Sequence, residues 1–285
     1  MDMPKGFTDI VKLAMKEPAP IAKGVEIWDK FVQAALIGGG RSDADIKLLV
    51  SLLSKEKLLD LDKVNKLSGG DWSAKTTKLL EKAAKKLKYE EDKNVVRNFI
   101  KEIFRITASI KGSARFFVRR NVIRDIDKLT ADDEAAEELV GEIAEDEDVT
   151  NIKYTKVILW LHSIGRGRGL APPTRQVKSF INTEIGPYYP YYEDDKYFMK
   201  KASELSEAVK AKVKGATAFD VSRAIFCYGS VKSMVPRGFG KSFTPTRFLG
   251  FLKKKKLTLG KLAEIFGDLD KRAKLMQDVD KFVRS

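Results

Sequence analysis

Apolar residues recur every three or four positions along most of this chain, and alternating apolar–polar runs are nearly absent. That spacing is the period of an α-helix, and each apolar stripe must be buried against another helix. Val25 to Ile37 is a clear instance. Ile27, Trp28, Phe31, Val32, Ala35 and Leu36 share one helical face, and Gly38-Gly39-Gly40 ends the run. The same spacing predicts helices over 43–53 with Ser42 as N-cap, 58–67, and 73–88 with Ser73 as N-cap. It continues over 94–110, where Val95, Phe99, Ile103 and Ile106 are in register, then 115–129, 132–143, 153–164, 174–185, 196–214 and 218–226. No Asn-Gly hairpin turn is present. The expected fold class is all-α.

A chain of 285 residues buries a full core without disulfides or metals. The spacing places one helical domain over 1–230 and a Gly/Pro/Arg/Lys linker, VKSMVPRGFGKSFTPT, over 231–246. A basic helical C-terminal appendage is expected over 247–285, with the run Lys253 to Lys256 and a helix near Leu259 to Phe266. A stiff aromatic loop, GPYYPYY, covers 186–192.

Charge narrows the partner. The formal net charge is +14, yet Thr130 to Thr150 holds ten carboxylates and no Lys or Arg. The remainder carries about +24 by formal counting at neutral pH. Such a surface suits a phosphate backbone, where neutralised phosphates release counterions, so nucleic acid is the expected partner and DNA the preferred one. The plain alternative is a lysine-rich solvated surface. A single cysteine, Cys227, excludes an internal disulfide and a cysteine zinc cluster. The single histidine, His162, sits among Trp160, Leu161 and Ile164 and reads as a packed residue. No metal and no cofactor is implied. No segment has the roughly 18 apolar residues of a membrane span, and no basic-then-apolar leader is present, so no membrane partner and an intracellular location are expected.

Several basic clusters are candidate contacts. Gly165-Arg166-Gly167-Arg168-Gly169 joins permissive backbone to two cations, and Arg175 and Lys178 extend the patch by a helical turn. Arg115, Arg119 and Arg120 lie in a stretch, Arg105 to Arg124, interleaved with Phe116, Phe117 and Val118. Either the aromatics stack on bases, or they enter the core while the arginines face solvent. Tyr188, Tyr189, Tyr191 and Tyr192 present the same choice between stacking on an extruded base and packing on their own domain. Trp28 and Trp160 are expected in the core, and Trp72 as a local packing anchor.

One stretch points to a family. Asn151 to Ile185 reads NIKYTKVILWLHSIGRGRGLAPPTRQVKSFINTEI: a lysine-bearing helix start, an apolar helix, a Gly/Arg loop, Pro172-Pro173 and a second amphipathic helix. This resembles the core of the helix-hairpin-helix DNA glycosylases, the superfamily of endonuclease III and 8-oxoguanine glycosylase. WDKFVQAALIGGGRSDADI is similar to its opening helix pair, and AFDVSRAIFCYG resembles a closing helix of archaeal members. The resemblance implies recognition of damaged or modified DNA, base extrusion, and a nucleophile at Lys156 that forms a Schiff base and cleaves by β-elimination. A neutral lysine is required, favoured by burial, neighbouring cations and a helix N-terminus. Two departures stand out. The hairpin glycines are missing from Asn151 to Lys156, which leaves Lys153 to reach phosphate through its side chain. The position of the family's aspartate holds Thr174, which has no charge and is also a good helix N-cap. Asp194, Asp195 and Asp220 are the carboxylates near enough in the chain to substitute. The rival expectation is a non-enzymatic nucleic-acid binder, such as a viral nucleoprotein or an architectural factor.

Overall fold

A computed structural model describes residues 2–17, 26–37, 43–86 and 93–285, without the side chains of 43, 93–100 and 102. The glycine run 38–40, Ser42 and the side chains of Val95 and Phe99 lie outside the described residues. Among the described residues the chain is all-helical: fifteen α-helices, one π-helical turn and no strand. It divides into two compact units. Pro20–Gly167 is inserted between the pieces of the other, Met1–Ala19 and Arg168–Ser285.

The chain begins with α1 (Phe7–Met15), which belongs to the terminal unit, and then forms the inserted unit. There α2 (Glu26–Leu36), α3 (Asp43–Lys55), α4 (Leu61–Lys66) and α5 (Gly69–Lys86) precede the 27-residue α6 (Lys93–Arg119). Then come α7 (Val122–Leu129), α8 (Asp133–Glu145) and α9 (Tyr154–Ser163). Ser68, not Ser73, starts α5, accepting from the Asp71 N–H at 3.0 Å. Helix α6 runs through the expected boundary near 110 and stops where Asn121 adopts φ 52°, a left-handed conformation asparagine tolerates. Trp28, Phe31, Phe117 and Trp160 interlock in the core at ring-centroid distances of 4.6–5.6 Å. The Trp160 indole donates to the Ile27 carbonyl at 2.9 Å, and Trp72 donates to the Thr107 carbonyl at 2.9 Å, anchoring α5 on α6.

The terminal unit continues with α10 (Arg175–Phe180), the π-helical turn Ile181–Ile185, α11 (Asp195–Lys210) and α12 (Ala218–Lys232). It ends with α13 (Pro245–Lys255), α14 (Leu259–Phe266) and α15 (Leu269–Arg284). Helix α12 is buried on most of its circumference, and α1, α10, α11, α13 and α14 pack around it. It starts with a capping box, Thr217 and Asp220 each bonding the other's backbone N–H. Helices α10 and α12 approach closely at Gly229, where an added Cβ would lie 3.3 Å from Gln176.

The expected linker and appendage take a different form. Phe243, within the supposed linker, is fully buried, and its carbonyl accepts from the Tyr228 hydroxyl at 2.9 Å. Phe248, Phe251, Leu252, Leu259, Leu262, Leu275, Val279 and Val283 all enter the core that α1 and α12 build. Residues 247–285 are thus one wall of the terminal unit. The lysine run is the last turn of α13, where cations complement the carbonyl end of the helix, and Lys255 pairs with Asp278 at 2.7 Å.

Candidate nucleic-acid interface

The two lysines at the start of α9 are used as clamps. Lys153 is the N-cap residue of α9, and its Nζ donates to the Ala144 carbonyl at 2.7 Å, in the last turn of α8. Lys156 Nζ donates to the Ala35 carbonyl at 2.6 Å, in the last turn of α2. Both serve the orphan carbonyls and partial negative charge of a helix C-terminus. The Lys156 amine is thereby held on a backbone carbonyl rather than presented to a cleft. We therefore expect Lys156→Ala to lower the unfolding free energy of the inserted unit by about 1–3 kcal/mol, through the unsatisfied carbonyl it leaves. Urea denaturation checks this, and an unchanged midpoint would leave Lys156 available for chemistry.

Thr174 belongs to the other unit and caps α10, its hydroxyl accepting from the Val177 N–H at 3.2 Å. The carboxylates near it in the chain are also occupied. Asp194 caps α11, Asp195 pairs with Lys178, and Asp220 is committed to the α12 capping box.

The arginines at the end of α6 and just beyond it, though exposed, pair with the acidic segment. Arg115 meets Asp148 at 3.3 Å, Arg119 meets Asp146 and Asp148, and Arg120 makes a two-point contact to Glu142 at 2.9 and 3.1 Å. Phe116 and Phe117 are buried, so the aromatics fill the core and are closed to bases. Three of the ten carboxylates of 130–150, Glu142, Asp146 and Asp148, thus meet this cationic stripe. Arg115, Arg119 and Arg120, expected as nucleic-acid contacts, remain exposed and carry these ion pairs. Arg166 pairs with Asp127 in the same unit. His162 is buried, with its Nε2 3.2 Å from the Gly167 carbonyl.

Lys178 also departs from expectation. It is 7% exposed, pairs with Asp195 at 2.7 Å, donates to the Tyr192 carbonyl at 2.7 Å and lies over the Tyr192 and Phe198 rings. It holds α10, the aromatic loop and α11 together and offers nothing to a ligand. Arg168 is half-exposed, 3.4 Å from Asp220 and stacked over Phe219. Cys227 is buried, and burial pushes its thiol up to about 12, so it stays protonated and unreactive at neutral pH.

Arg175 is an expected contact that is exposed and forms no ion pair among the described residues. It lines a cleft of about 1050 Å³ in the terminal unit, floored by Phe180, Tyr228 and Gly229. Lys232, Lys241 and Arg272 line it as well. Lys232 is neutralised by Glu184, whereas Arg175, Lys241 and Arg272 are exposed and form no ion pair among the described residues. Sequence reasoning missed Lys241 and Arg272 because they come from the supposed linker and appendage, and only the packing of that wall brings them beside α10. The one available signal was the excess of lysine and arginine beyond residue 230. Charge is divided accordingly. The terminal unit has 27 Lys and Arg against 15 Asp and Glu, a formal +12, and the inserted unit 27 against 25, a formal +2.

Among the described residues no helix is long and apolar enough to cross a membrane, and no cluster of His, Cys, Asp or Glu is placed to hold a metal. No family model, no curated protein and no solved structure matches this chain.

Proposed function

We propose that the chain binds nucleic acid, DNA foremost, through the basic cleft of the terminal unit, and that it acts as a binder rather than through a lysine nucleophile. The observation that carries this reading is the convergence of Arg175, Lys241 and Arg272, without carboxylate partners, on one cleft of the unit that holds nearly all the net charge. Uncancelled cations in a concave surface concentrate an anionic polymer and gain counterion release on contact. A small apolar ligand would find an unfavourably charged rim there.

Fluorescence anisotropy of labelled DNA across a salt series tests this. Affinity should fall linearly in log–log form, and the triple variant R175A/K241A/R272A should lower the slope by about two to three, nearly one for each phosphate left unneutralised. R115A/R119A/R120A serves as a control of equal charge loss and should change affinity less, because those arginines already meet carboxylates. Binding that ignores salt, or a triple variant that behaves as the wild type, would overturn the reading. The excision chemistry implied by the glycosylase resemblance would require Lys156 to release Ala35. A borohydride-trapped protein–DNA adduct, absent in Lys156→Ala, would restore that chemistry in place of simple binding.

A further inference from the structure

The aromatic loop between the π-helical turn and α11 is built as a repeat. Each Pro-Tyr-Tyr unit sends its second tyrosine inward and its first outward. Tyr189 stacks on Tyr197 with centroids 3.7 Å apart and planes at 17°, and its hydroxyl donates to Asp194 at 3.1 Å. Tyr192 packs against Phe198, and its hydroxyl donates to the Arg175 carbonyl at 2.7 Å. Tyr188 and Tyr191 are each 71% exposed, the most exposed large hydrophobic residues described.

The exposure does not come from a slack loop. The Asn182 side chain grips the Tyr189 backbone at two points, donating to its carbonyl and accepting from its N–H, both at 3.0 Å. Lys178 holds the Tyr192 carbonyl from below. Pro187 and Pro190 restrict the backbone further. Tyr191 is also backed by the edge of Tyr189 at 5.6 Å. Two rings are thus held out in water at a cost the unit could have avoided with polar residues. Prearranged rings of this kind lose little freedom when a flat ligand stacks on them.

The loop adjoins the cleft through Arg175 and the residues that follow Asn182. Arg175 lines it and accepts from Tyr192, while Thr183 and Glu184, which line it too, directly follow Asn182. Of the loop's carboxylates, Asp194 is committed to Tyr189 and the α11 cap, and Asp195 to Lys178. Glu193 stays exposed beside Tyr192 and disfavours a phosphate at the loop itself. The loop therefore suits ring contacts and the cleft suits phosphates.

We infer that Tyr188 and Tyr191 form a stacking platform for unpaired bases, so that the terminal unit selects single-stranded over duplex nucleic acid. This rests on the proposed function. Bases in a duplex are stacked on one another and hide their faces, whereas a single strand can lay successive bases on exposed rings while its backbone follows the cations.

The test uses the full chain and fluorescence anisotropy with an oligo(dT) strand and a duplex of equal length. Y188A/Y191A should weaken oligo(dT) binding about tenfold or more and leave the duplex nearly unchanged. Y188F/Y191F should retain wild-type affinity, because the ring rather than the hydroxyl is used. In Tyr188→Trp, oligo(dT) should quench the new indole more than the duplex does, whatever the alanine variant does to folding. Equal losses on both ligands, no loss on either, or an unquenched indole would overturn the platform. If the wild type binds neither ligand, the proposed function falls with it. If the wild type binds both but the tyrosine variants do not discriminate, only the platform falls.

Discussion

Gly112→Ala is expected to abolish cooperative folding of the inserted unit. Helix propensity alone would favour the alanine by about 1 kcal/mol, since Gly112 lies inside α6 with ordinary helical geometry. Packing reverses the sign. A Cβ at this position would fall well inside van der Waals contact of the Asp148 carbonyl oxygen and 2.6 Å from its carbon. The obstacle is backbone, and that backbone is held. Val149 is fully buried, the Asp148 N–H donates to Asp146 at 3.0 Å, Thr150 meets Ser109 at 3.2 Å, and Arg115 and Arg119 reach Asp148 from α6 itself. Ordinary overpacking costs about 1–3 kcal/mol. A backbone overlap with both sides fixed exceeds that and approaches the roughly 5–15 kcal/mol that stabilises a typical domain. Gly141 supplies the control. It lies inside α8 with nothing within 4 Å of an added Cβ, so Gly141→Ala should stabilise by about 0.5–1 kcal/mol. Urea denaturation followed by far-UV circular dichroism reads both. A Gly112→Ala variant with the wild-type midpoint would refute the packing.

Truncation after Thr246 should likewise destroy the terminal unit. It removes eight buried apolar side chains, Phe248 through Val283, from one core. At about 1.5–3 kcal/mol for each buried side chain, the loss exceeds about 10 kcal/mol, comparable with a whole domain's stability. It would also bare the faces of α1 and α12 that those residues cover. The truncated chain should lose the tyrosine part of its near-UV dichroism and bind a hydrophobic dye, while the inserted unit, which holds Trp28, Trp72 and Trp160, keeps its own transition. A native-like spectrum with one unchanged transition would show that residues 247–285 are a dispensable tail.

Helical character was legible because it depends on spacing. The stripe Ile27, Trp28, Phe31, Val32, Ala35, Leu36 is buried as its period required, and Thr174 caps its helix as a threonine in that position should. The division of the chain was not legible. The stretch 231–246 has the Gly, Pro and Lys of a linker, and local composition cannot report that Phe243 enters a core that α12 shares with α1, more than two hundred positions earlier. The pairing of the arginines had no local signature for a related reason. Arg115, Arg119 and Arg120 look like Arg175 in sequence, and only the fold decides which cations meet a carboxylate. The acidic block 130–150 was visible from the start, but its partner was not. For Lys156, the register of the hairpin resemblance placed it at a helix start, where it is found. The carbonyl it serves, on a helix over a hundred residues away, had no local signature.

The interrupted layout of the terminal unit sets an order of events during synthesis. Helix α1 presents Phe7, Ile10, Val11 and Ala14 to a core whose other contributors all follow residue 168. At about 5–20 residues per second, roughly ten to thirty seconds separate the emergence of α1 from that of its first partners. The inserted unit can close in that interval, because every contact it needs is already outside the ribosome. Through the same interval the apolar face of α1 stands uncovered, a natural docking strip for a chaperone. Helix α1 is therefore settled only after the inserted unit, and lesions in α12 or α15 should leave it as an exposed degradation signal while the inserted unit remains intact.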